Sequence, residues 1–183
     1  MQFSPVTIPL KDGRKAVLRS PDPTGDAAEL VQYLYDTASD TPFVLRTPEE
    51  ISMTVEGEER FLRGVVESPF DCMILCEVDG CIAGNCHLSF MGKQKVRHRC
   101  SVAIALRKAF WGLGIGTAMF RAMIGIAEKR EGVTVMELEF VEGNARARGL
   151  YEKMGFRIAG VHPDAIRQPD GTLLALYLMQ RPV

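Results

Sequence analysis

No apolar run in this chain approaches the ~20 residues that a bilayer-spanning helix needs. An excess of one charge is missing too. The 22 Lys and Arg stand against 23 Asp and Glu, for a net charge of −1, without the basic surplus of a general nucleic-acid binder. The opening MQFSPVTIPLKDGRK has none of the basic–apolar–small order of a signal peptide. The expected location is therefore the cytoplasm, with neither membrane nor nucleic acid among the partners. A cysteine framework is also absent. Cys72, Cys76, Cys81, Cys86 and Cys100 are odd in number and fit neither zinc-pair nor disulfide spacing, so they read as buried small hydrophobes and no metal site is expected. Repeats, low-complexity tracts and interdomain linkers do not occur.

What remains is an ordinary globule of 183 residues, 46% apolar and 25% charged, expected to form one domain. A chain of this length buries roughly 70% of the surface its unfolded form exposes, enough to fold without metal or disulfide.

Residues 14–20 (RKAVLRS) read as a first strand. Asp, Pro and Thr start signals then open a helix with Leu30, Val31, Leu34 and Tyr35 at helical spacing. The stretch RTPEEISMTVEGEERFLRGVVES reads as one second helix, with Thr47 and Glu50 as a capping box, Pro48 in the first turn, and Ile51, Val55, Leu62 and Val66 as its stripe. Two apolar runs around Asp79-Gly80 carry the strongest short hairpin signal. A third run, VRHRCSVAIAL, extends them to an antiparallel meander. A helix over residues 117–130 follows, with Met119, Met123 and Ala127 on one side and Gly132 as its stop. The strand VTVMELEF, a short helix capped by Asn144 and stopped by Gly155, and the strands FRIAGV and TLLALYLM complete the chain. The order β-α-α-β-β-β-α-β-α-β-β describes an α+β fold around one mixed, mostly antiparallel sheet flanked by helices.

The stretch AFWGLGIGTAMF, residues 109–120, holds Gly112, Gly114 and Gly116 just ahead of a helix. Glycines let backbone N–H groups approach a ligand closely, and a helix start favours an anion. A nucleoside-triphosphate loop would need G-x-x-x-x-G-K-[ST], and no such lysine follows. A dinucleotide loop needs G-x-G-x-x-G, but the third position is Met119 counted from Gly114 and Thr117 counted from Gly112. A turn without ligand stays open on these residues alone.

The segment IALRKAFWGLGIGT, residues 104–117, resembles the acyl-CoA pyrophosphate loop of the GCN5-related N-acetyltransferases, whose pattern is Q/R-x-x-G-x-G/A. Twenty-eight residues beyond Gly116, NARARGLYEKMGF resembles that family's second signature, with Asn144, Ala147, Leu150, Tyr151, Lys153, Gly155 and Phe156 in place. The resemblance covers residues 72–160 well. It implies a single N-acetyltransferase domain over residues 1–183, using acetyl-CoA as co-substrate. By that resemblance the backbone of Gly112, Leu113, Gly114, Ile115, Gly116 and Thr117 cradles the pyrophosphate. The strand end Ile104, Ala105 and Leu106 pairs with the pantetheine arm, and Asn144 binds the arm from the other side. Trp111 stands where the pattern has Gln or Arg; Arg107 and Lys108 are the nearby basic residues that can take over a phosphate contact.

Acetyl transfer needs an acid for the departing thiolate, and the resemblance gives Tyr151 that role and a place at the cofactor. Spacing alone equally fits a core tyrosine on the apolar face of Ala147, Leu150, Tyr151 and Met154. No base is assigned. Glu137 and Glu139 face either a cleft or, more simply, solvent. His98 is expected as a core histidine on a strand face with Cys100 and Val102, and His87 lies on a polar face with Asn85 and Ser89. The acceptor is a primary amine of a small molecule or peptide. Asp36, Asp40, Glu49 and Glu50 give a weak hint of a cationic one, though acidic groups near helix starts are ordinary dipole partners. A non-catalytic acyl-CoA-binding sensor or scaffold is the alternative, and a homodimer is left open.

Overall fold

The computed structural model describes all residues, Met1–Val183. Its elements run β1 (Val6–Pro9), β2 (Lys15–Arg19), α1 (Pro23–Asp40), α2 (Val55–Glu67), β3 (Asp71–Val78), β4 (Cys81–Phe90), β5 (Arg99–Leu106), α3 (Ile115–Glu128), β6 (Val135–Val141), α4 (Ala145–Lys153), β7 (Arg157–Arg167) and β8 (Leu173–Pro182). The strands form an eight-stranded sheet in the order β1-β2-β3-β4-β5-β6-β8-β7. Its β5–β6 pair is parallel. This is the mixed, mostly antiparallel α+β architecture read from the sequence, with one more strand at the start. That strand, β1, is exposed at three of its four positions and so shows no alternating pattern.

By its contacts the chain divides into two compact units, Met1–Ser89 with Ile104–Met119, and Phe90–Ala103 with Phe120–Val183. In the first, β3 and β4 meet through Asp79 and Gly80, with φ of 51° and 78° and Val78 opposite Cys81. Two consecutive left-handed residues make the turn whose twist suits a hairpin. Period-2 alternation puts Met73 and Leu75 on one side, and they pack with Ala27, Leu30 and Tyr33 of α1 and Leu62 and Val65 of α2. Helix α1 therefore turns Tyr33 inward and leaves Tyr35 half exposed, which corrects the expected stripe.

The second helical region is not one helix. Thr47, Pro48 and Glu50 make the expected capping box, but on a single 3-10 turn, Pro48–Glu50. The backbone is extended at Ile51, and α2 starts afresh where the Thr54 side chain accepts from the Gly57 N–H. A second N-cap hydroxyl four residues ahead of Glu58 competes with continuing the first turn.

In the second unit β6 runs beside β8 from Val135↔Pro182 to Val141↔Leu176, and β7 edges the sheet. Strand β7 extends well past the expected FRIAGV, through Pro163 and a register shift near Asp164 at φ 53°. Proline is tolerated there because an edge strand needs no donor on its outer side. Helix α4 ends as its Gly155 implies, with φ 87° and the Phe156 N–H returning to the Tyr151 carbonyl. Phe120 of α3 packs its ring on Tyr151 and Phe156. His98 is exposed in the turn ahead of β5, not a core residue: the strand starts only at Arg99.

Candidate functional site

The glycine loop and the end of β5 belong to the first unit, Asn144 and Tyr151 to the second. In the first, β5 leads through one 3-10 turn, Lys108–Phe110, into the loop. Gly112 has φ 82° and Gly114 φ 95°, a region other residues enter only with strain. Around both, the place a Cβ would occupy is open, with no atom within 4 Å. Gly116 and Thr117 already lie in the first turn of α3.

Several carbonyls at and before the loop are bonded within the protein. Leu106 O accepts from the Trp111 indole N–H at 2.8 Å. The Leu113 carbonyl takes the Lys11 N–H at 3.2 Å, and those of Arg107 and Lys108 take the N–H groups of Phe110 and Trp111. The first helical bond is made by the Ala118 N–H to Gly114 O at 3.1 Å. The N–H groups of Ile115, Gly116 and Thr117 precede it, as orphan donors at the positive end of α3. A loop with bonded carbonyls and donors left at a helix start suits a phosphate.

Trp111 thus closes the loop. Arg107 points inward, its side chain 12% exposed, paired with Glu29 and Asp36. It is not placed to replace the missing Gln or Arg; exposed Lys108 is the basic side chain of that pair left for a phosphate. At the strand end, Ala105 O accepts from the Tyr33 hydroxyl at 2.7 Å. Leu106 O is engaged as well, so two of the three carbonyls at the strand end already have partners within the protein.

In the second unit Asn144 caps α4, its Oδ1 accepting from the Ala147 N–H at 3.1 Å. The cap uses only the oxygen, so the two Nδ2 donors remain for a ligand. Asn144 also lines a pocket of about 360 Å³ with Glu142, Ala145 and Arg148, beside the stacked rings of Phe140 and Tyr177. Tyr151 is 7% exposed. Burial pushes its phenol up to about 12, so it carries its proton at neutral pH.

Several charged residues turn out to be occupied. Glu137, expected to face solvent, is buried, with Arg99 Nη2 at 2.6 Å and Gln180 Nε2 at 3.4 Å; Glu139 does face solvent. His87 Nε2 lies 3.1 Å from Asp71 Oδ1, and Asp71 also accepts from Ser68 and Ser89. Asp36 is taken by Arg107, Asp40 by the Lys108 N–H, and Glu50 by the Thr47 N–H. Of the four acidic residues expected to favour a cationic acceptor, Asp36, Asp40 and Glu50 are thus engaged within the protein, and Glu49 is exposed. The inward arginine was missed, because nothing local to Arg107 announces partners on a helix some 70 residues upstream.

The family model for the acetyltransferase (GNAT) family matches residues 28–156. A protein of Bacillus subtilis (strain 168) named "Putative [ribosomal protein bS18]-alanine N-acetyltransferase" is 25% identical over 105 residues, which span 57% of this chain and 66% of that relative. Among solved structures, a GNAT-family acetyltransferase of Streptococcus pneumoniae superposes with TM-score 0.85 at 28% identity, covering 92% of this chain and 99% of that one. The Salmonella typhimurium protein yncA, solved with its cofactor acetyl-CoA, shares the fold at TM-score 0.77 and 18% identity, over 91% of this chain and 93% of that one.

Proposed function

The chain belongs to the acetyltransferase (GNAT) family, whose enzymes draw on acetyl-CoA, and from that premise we propose that it moves the acetyl group of acetyl-CoA to a primary amine by direct attack. The observation that carries this reading is the loop at Gly112 and Gly114, whose left-handed residues and bonded Leu113 and Gly114 carbonyls lead into a helix start that leaves the N–H groups of residues 115–117 for a pyrophosphate. Exposed Lys108 adds a positive charge beside it. Asn144 holds the arm of the cofactor through Nδ2.

In the transfer, a neutral amine nitrogen forms a bond to the thioester carbonyl carbon, and the carbon–sulfur bond breaks. Tyr151 donates its proton to the departing sulfur and recovers one from the amine nitrogen, directly or through water, so that the proton lost by nitrogen balances the one gained by sulfur. Four of the five cysteines are buried, and burial pushes the Cys76 and Cys100 thiols up to about 12. No protein thiolate is needed as an intermediate carrier. The acceptor is an amine of a small molecule or peptide. The Bacillus subtilis relative's name points to the terminal amine of a protein as one compound to include in a screen.

A thermal-shift comparison of acetyl-CoA, CoA, NAD and ATP tests the reading. A ligand at ~100 times its dissociation constant adds about 2.7 kcal/mol, or roughly 5–10 °C in a domain of this size. A rise with acetyl-CoA and CoA alone is expected; a rise with NAD, or with none of the four, overturns it.

A further inference from the structure

Glu29, Tyr33, Asp36 and Asp40 follow one another on α1 at intervals of four, three and four, and so share one side of the helix. All four reach the same short segment, the end of β5 and the entry to the glycine loop. The Tyr33 hydroxyl donates to Ala105 O at 2.7 Å and accepts from the Asn85 N–H at 3.1 Å. Glu29 Oε1 lies 3.2 Å from Arg107 Nη1, and Asp36 Oδ2 lies 3.0 Å from Arg107 Nε. Asp40 Oδ2 takes the Lys108 N–H at 2.7 Å. Arg107 Nη1 also donates to Ile82 O at 2.8 Å, and its guanidinium lies 5.5 Å from the centre of the Tyr33 ring.

We propose that Arg107, gripped by this face of α1, is a positioning residue for acetyl-CoA: it sets the segment from which the pyrophosphate loop departs and offsets part of the negative charge of the carboxylates beside it.

Two features separate this from general support of the fold. The first is that the strand end is held by side chains where a plain ladder would use backbone. Tyr33 stands between the N–H of Asn85 on β4 and the carbonyl of Ala105 on β5, where two strands would otherwise bond directly. Leu106 lies over Gly84, whose absent Cβ would come within 2.8 Å of Ala105 O. The height of residues 105–108, and with it the start of the 3-10 turn and the closing bond from Trp111 to Leu106 O, therefore depends on α1. The second is charge. Glu29 and Asp36 face the entry of a loop that has to receive an anion, and the guanidinium between them offsets one of their two negative charges while lying close to both.

The inference rests on the loop binding CoA, so the experiment begins with CoA titrated calorimetrically into the unaltered protein. Arg107→Met is then compared for CoA affinity and for amide hydrogen exchange at residues 108–117 without ligand. A weakening of at least tenfold, with faster exchange confined to that segment, is expected. Arg107→Lys, which keeps the charge and loses the fork, should fall between the two. A purely structural role predicts a lower melting temperature with CoA affinity unchanged, and that result overturns the proposal. If Arg107→Met does not fold, Arg107→Lys alone, which keeps the charge at this position and removes the bonds of the guanidinium fork, decides the matter. A threefold or greater loss supports the proposal and unchanged affinity overturns it. Absence of CoA binding by the unaltered protein instead overturns the proposed function itself.

Discussion

The rings of Phe120 and Tyr151 meet edge-on, their centroids 5.4 Å apart and their planes at 61°. Phe140 and Phe156 complete the surround at 6.0 and 6.4 Å. Tyr151 is thus held by its ring, which leaves the hydroxyl for chemistry. Tyr151→Phe should keep the melting temperature within about 2 °C, in line with a change that leaves the packing intact. CoA affinity should hardly change, while acetyl transfer, followed as thiol release with a responsive amine, falls at least about tenfold, or ~1.4 kcal/mol in the barrier. Unaltered turnover would remove Tyr151 from the mechanism.

Gly114 separates loop geometry from loop space. Nothing lies within 4 Å of where its side chain would go, yet its φ is 95°, which a β-branched residue adopts only at a cost of about 1–3 kcal/mol. Gly114→Val is expected to remain folded by circular dichroism and to bind CoA at least tenfold more weakly. Gly125, inside α3 with equally open surroundings and no positive φ, is the control. Gly125→Ala should stabilise by about 0.5–1 kcal/mol and leave CoA affinity alone. Equal CoA affinity in the Gly114 variant would place the pyrophosphate elsewhere.

Arg99 secures a buried carboxylate. Its Nη2 sits 2.6 Å from Glu137 Oε2, and the Glu137 side chain is only 9% exposed. Removing one partner of a buried pair costs about 3–5 kcal/mol. Because the Arg99 side chain is 35% exposed, water can partly replace it, and ~2–3 kcal/mol is the expectation for Arg99→Met. Thermal unfolding should shift down by roughly 5–10 °C. The double variant with Glu137→Met should recover most of that loss; a double variant no more stable than the single one would show that the pair itself, not the stranded carboxylate, carries the stability.

What the sequence displayed plainly was local. Asp79-Gly80 requires two left-handed residues in succession, and Asn144 and Gly155 bracket a short helix by capping alone. The glycines ahead of α3 announce themselves in the same way. What it hid was decided by partners far along the chain. Asp36 and Asp40 looked like acidic residues awaiting a cation because Arg107 and the Lys108 N–H lie some 70 residues away. Glu137 alternated with apolar neighbours as a solvent-facing residue would, and only Arg99 on the parallel neighbour explains its burial. The expected strand over Val96 and His98 failed for a different reason. The Val96 N–H bonds back to Lys93 O and the Arg99 N–H to Val96 O, so turn bonds hold this apolar-looking stretch ahead of β5.

The buried thiols and Tyr151 also set the protein's response to alkali. Burial pushes Cys76 and Cys100 up to about 12, from the 9.0 of a free thiol, and Tyr151 to about 12 from 10.0. In each case the folded chain keeps a proton that the unfolded chain gives up earlier, so unfolding releases protons as the pH rises. The stability linked to these groups is fully present below about pH 9 and is lost progressively as the pH climbs toward 12. Urea midpoints measured from pH 7 to 11 should be level at first and then fall. Cys100→Ala should make that fall shallower, while its cavity lowers the whole curve. Asp71 works in the opposite sense. Burial alone would raise its carboxyl, but hydrogen bonds from Ser68 and Ser89 and the charge of His87 outweigh that and leave it below its usual 3.8. Its share of stability is present above that value and is lost as the pH drops below it. A curve that keeps its neutral-pH midpoint through pH 11 would mean that the thiols are solvated in the native state, contrary to their burial here.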